Sequence, residues 1–130
     1  MKYKIFDTHA HYDSDSFDED RENVIKELQE NGVIGVLSCG SDLYGLRKSV
    51  ELAKEFDMFY AAVGIHPENA DEFNDDVVKE IKEFVKNEKV KAIGEIGLDY
   101  YWEENPPREV QKEVFRAQMK LADELNLPVV

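Results

Sequence analysis

Two histidines stand two residues apart near the start of the chain, in the run Asp-Thr-His-Ala-His at residues 7–11. Side chains alternate across a strand, so Asp7, His9 and His11 are predicted to point to one face. Neutral imidazoles bind divalent metals, which makes His9 and His11 candidate metal ligands. Asp7 is a candidate to accept a ring hydrogen bond and fix the tautomer of a ligating histidine. Two nitrogens do not complete a metal site, and the pair is equally consistent with a polar strand end.

A carboxylate lies in a later apolar run, within the segment Gly-Glu-Ile-Gly-Leu-Asp-Tyr-Tyr at residues 94–101. Alternation along a strand predicts that Glu95, Gly97 and Asp99 share one side. A charged glutamate inside an apolar strand is costly to bury unless it is paired or binds metal, and the nearest strand residues offer no cation. Glu95 is therefore predicted to bind metal, as a carboxylate able to bridge two cations. The glycines beside it indicate that another group approaches the backbone closely.

Two further side chains that could take part in chemistry follow predicted strands. His66 belongs to Gly-Ile-His-Pro at residues 64–67, and a metal ligand, a substrate-phosphate contact and a loop-bracing residue are all open for it. Cys39 has no motif or adjacent base that supports reactivity, so it is interpreted as a small apolar filler. With His66, all three histidines of the chain fall where a strand is predicted to end.

A repeating pattern of strands and helices must position these residues. Amphipathic helical patterns separate five short runs rich in apolar and β-branched residues. Such alternation predicts parallel strands joined by right-handed crossovers, hence an α/β fold. In parallel α/β folds, ligands bind at the carboxyl ends of the strands. The runs are Tyr3–Asp7, Val33–Ser38, Phe59–Ile65, Val90–Ile96 and one that opens at Leu127.

The helical patterns have recognisable ends. The first helix is predicted over Asp18–Gln29 and stops before a glycine. Ser41 is predicted to cap the second helix and Asn74 the third, while Pro106 and Pro107 open the fourth.

Two glutamines share the inward stripe of the fourth helix. At about 100° per residue, Gln111 and Gln118 lie in line with the apolar positions of that helix. Buried amides must find partners, so these side chains either brace the loop of residues 99–102 or sit at the ends of the core stripe.

The repeat length indicates the architecture. Each strand-helix unit takes about 30 residues, and eight such units approach the roughly 250 residues of a (β/α)₈ TIM barrel. We therefore predict the first half of a TIM barrel, with four βα units plus the start of strand 5, as a single domain over residues 1–130. On this interpretation the chain is cut short of its natural end. The alternative is a complete five-stranded flavodoxin-like sheet, which fits the length equally well.

Composition excludes several classes of protein. The chain has 130 residues and a formal net charge of −13, which argues against a protein that binds a nucleic-acid backbone through Lys and Arg. Phosphate chemistry would then need a metal to supply positive charge. No apolar run approaches the roughly 20 residues of a membrane span. Residues 1–5 are not followed by the apolar core of a secretory signal, and the single cysteine suits a reducing compartment, so a cytoplasmic location is expected.

Together these motifs resemble the TatD-like deoxyribonuclease family, metal-dependent hydrolases of the amidohydrolase-like barrel group. The resemblance rests on residues 7–11, 64–67 and 92–101, on Gln111 and Gln118, and on the Leu-Pro at 127–128. It implies that His9 and His11 bind one of two divalent ions, which could be Mg, Mn or Zn.

The same resemblance assigns the remaining site residues. It implies that Glu95 bridges to the second ion and is catalytic, and that His66 and Asp99 meet the substrate. Asp7, Gln111 and Gln118 would support the ligands. The substrate would be DNA or another phosphodiester. An aromatic-rich segment follows the Asp99 position in that family, as it does here at residues 100–102.

The departure from the family is at the end of the chain. Family members continue with a His-x-Arg, a further His and an Asp, none of which this sequence reaches. A cation held only by His9, His11 and Glu95 is expected to bind weakly, and activity of the chain itself is in doubt. Two alternatives stay open: another metal-dependent amidohydrolase-type enzyme, and a non-catalytic half-barrel that self-associates through its open sheet edges.

Overall fold

Four parallel strands form one sheet in the order in which they occur in the chain. The computed structural model describes residues 3–130, so Met1 and Lys2 of the segment used to argue against a secretory signal lie outside the described residues. Val129 forms a parallel bridge to Ile93, which places the start of a fifth strand beside the fourth. A flavodoxin-like sheet has the order 2-1-3-4-5, so sequential order confirms the half-barrel. The strands are β1 (Ile5–Ala10), β2 (Val33–Cys39), β3 (Phe59–Val63) and β4 (Val90–Ile93).

A helix follows each strand. Asn74 caps the third helix as predicted, since its side chain accepts from the amides of Asp76 and Val77. Ser41 does not cap the second, because Asp42 takes that position and accepts from the Gly45 amide at 2.7 Å. The helices are α1 (Arg21–Glu30), α2 (Leu43–Glu55), α3 (Asp75–Phe84) and α4 (Arg108–Leu125), with short 3₁₀ helices at Asp15–Phe17 and Pro67–Glu72.

The two faces of the sheet have different surroundings. One face packs its alternate residues, such as Val36 and Val63, against buried positions of the helices, such as Leu46 and Ile81. The opposite face carries a smaller cluster that contains no helical residue, made of Leu37, Cys39, Ala62, Ala92 and Val130. All four helices therefore lie on the same side, as on the outside of a barrel.

β4 ends earlier than predicted, at Ile93 rather than Ile96. Beyond it the backbone is crowded: a Cβ on Gly94 would lie 2.8 Å from the Val130 carbonyl oxygen, and one on Gly64 would lie 2.9 Å from the Gly94 carbonyl carbon. These contacts explain glycine at positions 64 and 94. The predicted close approach is absent at Gly97, where a Cβ would meet no atom within 4 Å. Because residues 94–101 are not a strand, the predicted alternation of Glu95, Gly97 and Asp99 does not apply to them.

No helix formed by residues 3–130 is both long enough and apolar enough to cross a bilayer.

Candidate metal centre

Two histidines and a glutamate converge at the carboxyl end of the sheet. The Nε2 atom of His9 lies 3.3 Å from Glu95 Oε2, and the Nε2 atom of His11 lies 3.5 Å from the same oxygen. One donor atom from each residue falls within 4.8 Å of the other two. The imidazole rings meet edge to face, with centroids 5.1 Å apart. Two imidazole nitrogens and a carboxylate oxygen at this separation fit a single divalent cation.

Glu95 reaches the histidines through the backbone that follows β4. Its amide donates to the Gly40 carbonyl, at the end of β2, at 3.3 Å. Its side chain is 24% exposed, whereas those of His9 and His11 are 42% and 44% exposed. Within residues 3–130, every ion-pair partner of Glu95 is an imidazole and none is Lys or Arg. The carboxylate is therefore available to a cation from the solvent side.

His66 lies at the edge of the cluster rather than inside it. Its Nε2 atom is 3.9 Å from Glu95 Oε1, and its Nδ1 atom accepts from the Glu68 amide at 3.3 Å. Its backbone amide donates to the Ser41 carbonyl at 2.8 Å. The loop-bracing role left open for His66 is thus present. The imidazole also faces an open depression of about 520 Å³, lined by His11, Asp13, Ser41, Tyr44 and Glu95 among others.

The carboxylates of Asp7 and Asp99 both accept hydrogen bonds from backbone amides. Asp7 Oδ1 accepts from the His9 backbone amide at 3.1 Å, so its hydrogen bond goes to the backbone and not to a ring. Asp99 Oδ1 accepts from the Tyr101 amide at 2.9 Å. Asp99 lines a different depression from that of His66 and Glu95, shared with Tyr100 and Trp102. The structure therefore does not bring Asp99 into the depression beside the His–Glu cluster.

The two glutamines of α4 brace the loops that follow β3 and β4. Gln118 is buried, accepts from the Ile65 amide at 2.8 Å and donates to the Ile65 carbonyl at 2.9 Å. Gln111 makes the same pair of bonds to Asp99, both at 2.8 Å, and also donates to the Pro106 carbonyl. Bracing of the loop of residues 99–102, one of the two roles considered, describes Gln111 only, whereas Gln118 braces the segment after β3, which was not predicted. Gln118 thereby holds the residue before His66.

Sequence reasoning missed a buried polar chain behind His11. Asp13 is 6% exposed, and its Oδ1 atom lies 4.0 Å from His11 Nδ1. The Ser38 hydroxyl lies 3.2 Å from the same oxygen and 2.9 Å from the Ser49 hydroxyl, and both serines are fully buried. A Cβ on Gly45 would come within 2.7 Å of Asp13 Oδ2, so glycine leaves room for the carboxylate.

The surroundings of Asp13 affect its ionisation. Burial raises the pKa of Asp13, while its hydrogen bonds and the nearby His11 act in the opposite direction.

The one feature of the sequence that could have indicated this contact is an aspartate two residues after His11. Its serine partner is 25 residues away in sequence, so local spacing could not reveal the contact.

Cys39 agrees with its interpretation as an apolar filler. It is fully buried beside Ala62 and Ala92. Burial, followed by the negative charge of Glu95, raises the pKa of the Cys39 thiol to about 12. The thiol is therefore un-ionised at neutral pH and is not a nucleophile there.

The sequence and the fold of this chain have counterparts among known proteins. The sequence profile of the TatD-related DNase family matches residues 6–130. The chain belongs to that family. It is 42% identical over 126 residues to the uncharacterized metal-dependent hydrolase YabD of Bacillus subtilis, covering 97% of this chain and 49% of that protein. It is 32% identical over 126 residues to the 3'-5' ssDNA/RNA exonuclease TatD of Pectobacterium parmentieri, covering 96% of this chain and 48% of that protein.

Solved structures of the TatD family share the fold. The crystal structure of YJJV, a TatD homolog from Escherichia coli K12, superposes with a TM-score of 0.86 at 30% identity, over 99% of this chain and 50% of that one. A TatD family hydrolase from Entamoeba histolytica gives a TM-score of 0.88 at 23% identity, over 99% of this chain and 49% of that one. The chain spans about half the length of the relatives it matches.

Proposed function

We propose that this chain supplies three of the metal ligands of a metal-dependent hydrolase that cleaves phosphodiester bonds of nucleic acid. The observation that carries the proposal is the convergence of His9, His11 and Glu95, with donor atoms within 4.8 Å of one another. Relatives named as a metal-dependent hydrolase and as a single-strand exonuclease support the reaction class.

Each candidate ligand has a proposed role that follows from its position. His9 and His11 would hold the cation through Nε2, the atoms that face Glu95, and Glu95 would supply the negatively charged ligand. Divalent metal in such a site supplies Lewis acidity and a water nucleophile at neutral pH, and a pair of ions adds stabilisation of the leaving oxygen. Glu95 Oε1, turned toward His66, is the oxygen available to a second ion or to a water.

His66 is proposed to contact the substrate phosphate. Its Nδ1 atom accepts from the Glu68 amide, so the proton of the neutral ring resides on Nε2. That N–H points into the open depression beside Glu95, where it would donate to a phosphate oxygen. Asp99 does not line this depression, and any contact it makes with substrate would lie farther along the strand of nucleic acid.

The experiment is metal-dependent release of nucleotides from a 3'-labelled single-stranded oligonucleotide. We would assay the 130-residue chain and, in parallel, a protein that carries the rest of the barrel. Glu95→Gln is expected to reduce turnover at least about a hundredfold, because the ligand charge is lost. Glu88→Gln is the matched control, since Glu88 is exposed just before β4, at the amino end of the strands and away from the metal site. Equal turnover by Glu95→Gln and wild type would reject the proposal.

A further inference from the structure

The first residue of α1 is an arginine whose side chain is buried against the turn that follows β1. The side chain of Arg21 is 10% exposed, and its Nε atom donates to the Tyr12 carbonyl at 2.7 Å. Its Nη2 atom donates to the Ser14 carbonyl, also at 2.7 Å. The same nitrogen forms an ion pair with Asp18, 2.7 Å from Oδ1. One guanidinium thus binds the backbone carbonyls on both sides of Asp13.

The turn of residues 11–14, here called the β1 turn, lies beyond the sheet, because β1 ends at Ala10. The Ser14 amide donates to the His11 carbonyl at 3.2 Å and closes the turn. Backbone carbonyls that leave a sheet need new donors, and a charged donor makes stronger hydrogen bonds than a neutral one. The planar fork of a guanidinium reaches two carbonyls at once, and a lysine ammonium does not reproduce that geometry.

The β1 turn carries Asp13 to its place behind the metal ligand His11. The Asp13 carboxylate faces His11 Nδ1 at 4.0 Å and accepts from the Ser38 hydroxyl at 3.2 Å. Ser38 therefore fixes the carboxylate end of this residue. Arg21 fixes the peptide groups before and after it. The position of the carboxylate relative to the imidazole depends on both.

The ion pair with Asp18 does not by itself explain the burial of Arg21. Asp18 lies three residues before it, and pairs at an exposed surface contribute little to stability. The guanidinium instead leaves most of the solvent to bind two backbone oxygens of the β1 turn. A long side chain loses rotamer freedom when it is fixed in this way. The bonds to the turn are therefore the interaction that accounts for its position.

We propose that Arg21 is a positioning residue for the metal centre and acts through Asp13 on His11. The guanidinium holds the β1 turn so that the Asp13 carboxylate stays on the Nδ1 side of the ring, while Nε2 faces Glu95. Arg21 lines a separate depression, between α1 and α2, and supplies no metal ligand. The proposal rests on the proposed function, since it concerns the same metal site, and it deepens that function by naming a residue that orients one ligand.

The Zn²⁺ affinity of the 130-residue chain, measured by calorimetric titration, tests the proposal. Arg21→Met keeps an apolar stem but removes the donors, and we expect the Zn²⁺ affinity to fall about tenfold. Arg21→Lys keeps the charge without the fork, so a smaller loss is expected. Arg47→Met is the matched control, because Arg47 also makes two bonds, to Glu80, but lies exposed on α2. Unchanged Zn²⁺ affinity in a folded Arg21→Met protein would overturn the proposal.

The histidine rings separate positioning from a role in stability alone. In long-range ¹H–¹⁵N spectra of the metal-free protein, Arg21→Met is expected to shift the ring nitrogens of His11. Those of His9 are expected to stay in place, because Asp7 rather than the β1 turn holds the His9 backbone. A merely structural role would leave both rings of the folded protein as in wild type, and that result would count against the proposal. If Arg21→Met does not fold, Arg21→Lys decides by the same two measurements.

A double-mutant cycle tests the route through Asp13. In an Asp13→Asn background, Arg21→Met is expected to lower the Zn²⁺ affinity by a smaller factor than in the wild-type background, since residues of one network are not additive. Equal factors in the two backgrounds would refute the route. The metal site itself is tested separately by Glu95→Gln. A wild-type chain that binds Zn²⁺ through His9 and His11, with an affinity indifferent to Arg21, would refute this proposal and leave the proposed function intact.

Discussion

His11 stands between two carboxylates. Its Nε2 atom faces Glu95 at 3.5 Å, and its Nδ1 atom faces the buried Asp13 at 4.0 Å. A histidine that binds metal through one nitrogen commonly donates from the other to a carboxylate, which fixes the ring and raises its basicity. Asp13, held in turn by Ser38, is the carboxylate that faces this nitrogen, although 4.0 Å is too long for a hydrogen bond, whereas Asp7 holds the backbone of His9.

The variant Asp13→Asn tests this arrangement. The amide keeps the size of the side chain and its bond with Ser38 but removes the charge that faces His11. We expect Zn²⁺ affinity to fall about 10- to 100-fold, measured by calorimetric titration of the 130-residue chain. Asp57→Asn is the control, since Asp57 is exposed ahead of β3. Unchanged Zn²⁺ affinity in a folded Asp13→Asn protein would show that the carboxylate does not act on His11.

For individual residues, the sequence was sufficient to predict a role where the evidence lay in neighbouring positions of the chain. His9 and His11 follow from a two-residue spacing, and Glu95 from the cost of leaving a charge in an apolar run. Asp13 did not follow, because its contacts come from β2 and α2. Asp99 was placed beside Glu95 on the assumption of a strand that the backbone does not continue.

Helix α4 connects the core to both loops that border the site. Gln118 replaces the missing backbone partners of Ile65 at the end of β3, and Gln111 does the same for Asp99 after β4. The loops thus owe their position to these amide side chains as well as to backbone hydrogen bonds, such as those from the His66 amide to Ser41 and from the Glu95 amide to Gly40. His66, adjacent to Ile65, depends on Gln118 for its place.

Replacing these amides by methionine should have unequal effects. Gln118→Met leaves a buried N–H and a buried carbonyl of Ile65 without partners, which is expected to lower the free energy of unfolding by about 2–4 kcal/mol. Gln111→Met is expected to cost less, because water can reach its partly buried partners. Urea unfolding measures both. Gln29→Met, on the exposed side of α1, is expected to stay within about 0.5 kcal/mol of wild type. A Gln118→Met protein as stable as wild type would contradict the bracing role.

Element types could be predicted from periodicity, but several ends could not. The strand and helix order follows from apolar runs separated by amphipathic stretches. The N-cap of α2 is Asp42 rather than the predicted Ser41. Both side chains can cap a helix, and packing decides which of them does. β4 stops at Ile93, beyond which Gly94 leaves no room for a side chain beside the Val130 carbonyl, a contact between residues far apart in sequence.

At the scale of the whole molecule, the sheet buries one face and leaves the other accessible. Helices cover the outer face, while the opposite face opens into an apolar cavity of about 410 Å³, lined by Phe6, Leu37, Tyr60, Ala92 and Val130 among others. The sequential strand order, which decided between barrel and flavodoxin-like sheet, places β1 and β4 at opposite edges of the four-stranded sheet, and because all the strands are parallel their carboxyl ends lie at the same end of it. The site thus depends on the topology of the entire sheet.

The three histidines of the chain permit a direct test of the metal centre. Long-range ¹H–¹⁵N correlation spectra of the ¹⁵N-labelled protein report the ring nitrogens of each histidine during a Zn²⁺ titration. We predict that Nε2 of His9 and Nε2 of His11 shift together on binding, and that Glu95→Gln weakens this response at least tenfold relative to Glu88→Gln. Binding of Zn²⁺ that leaves the rings of His9 and His11 unperturbed, or that is indifferent to Glu95→Gln, would contradict it.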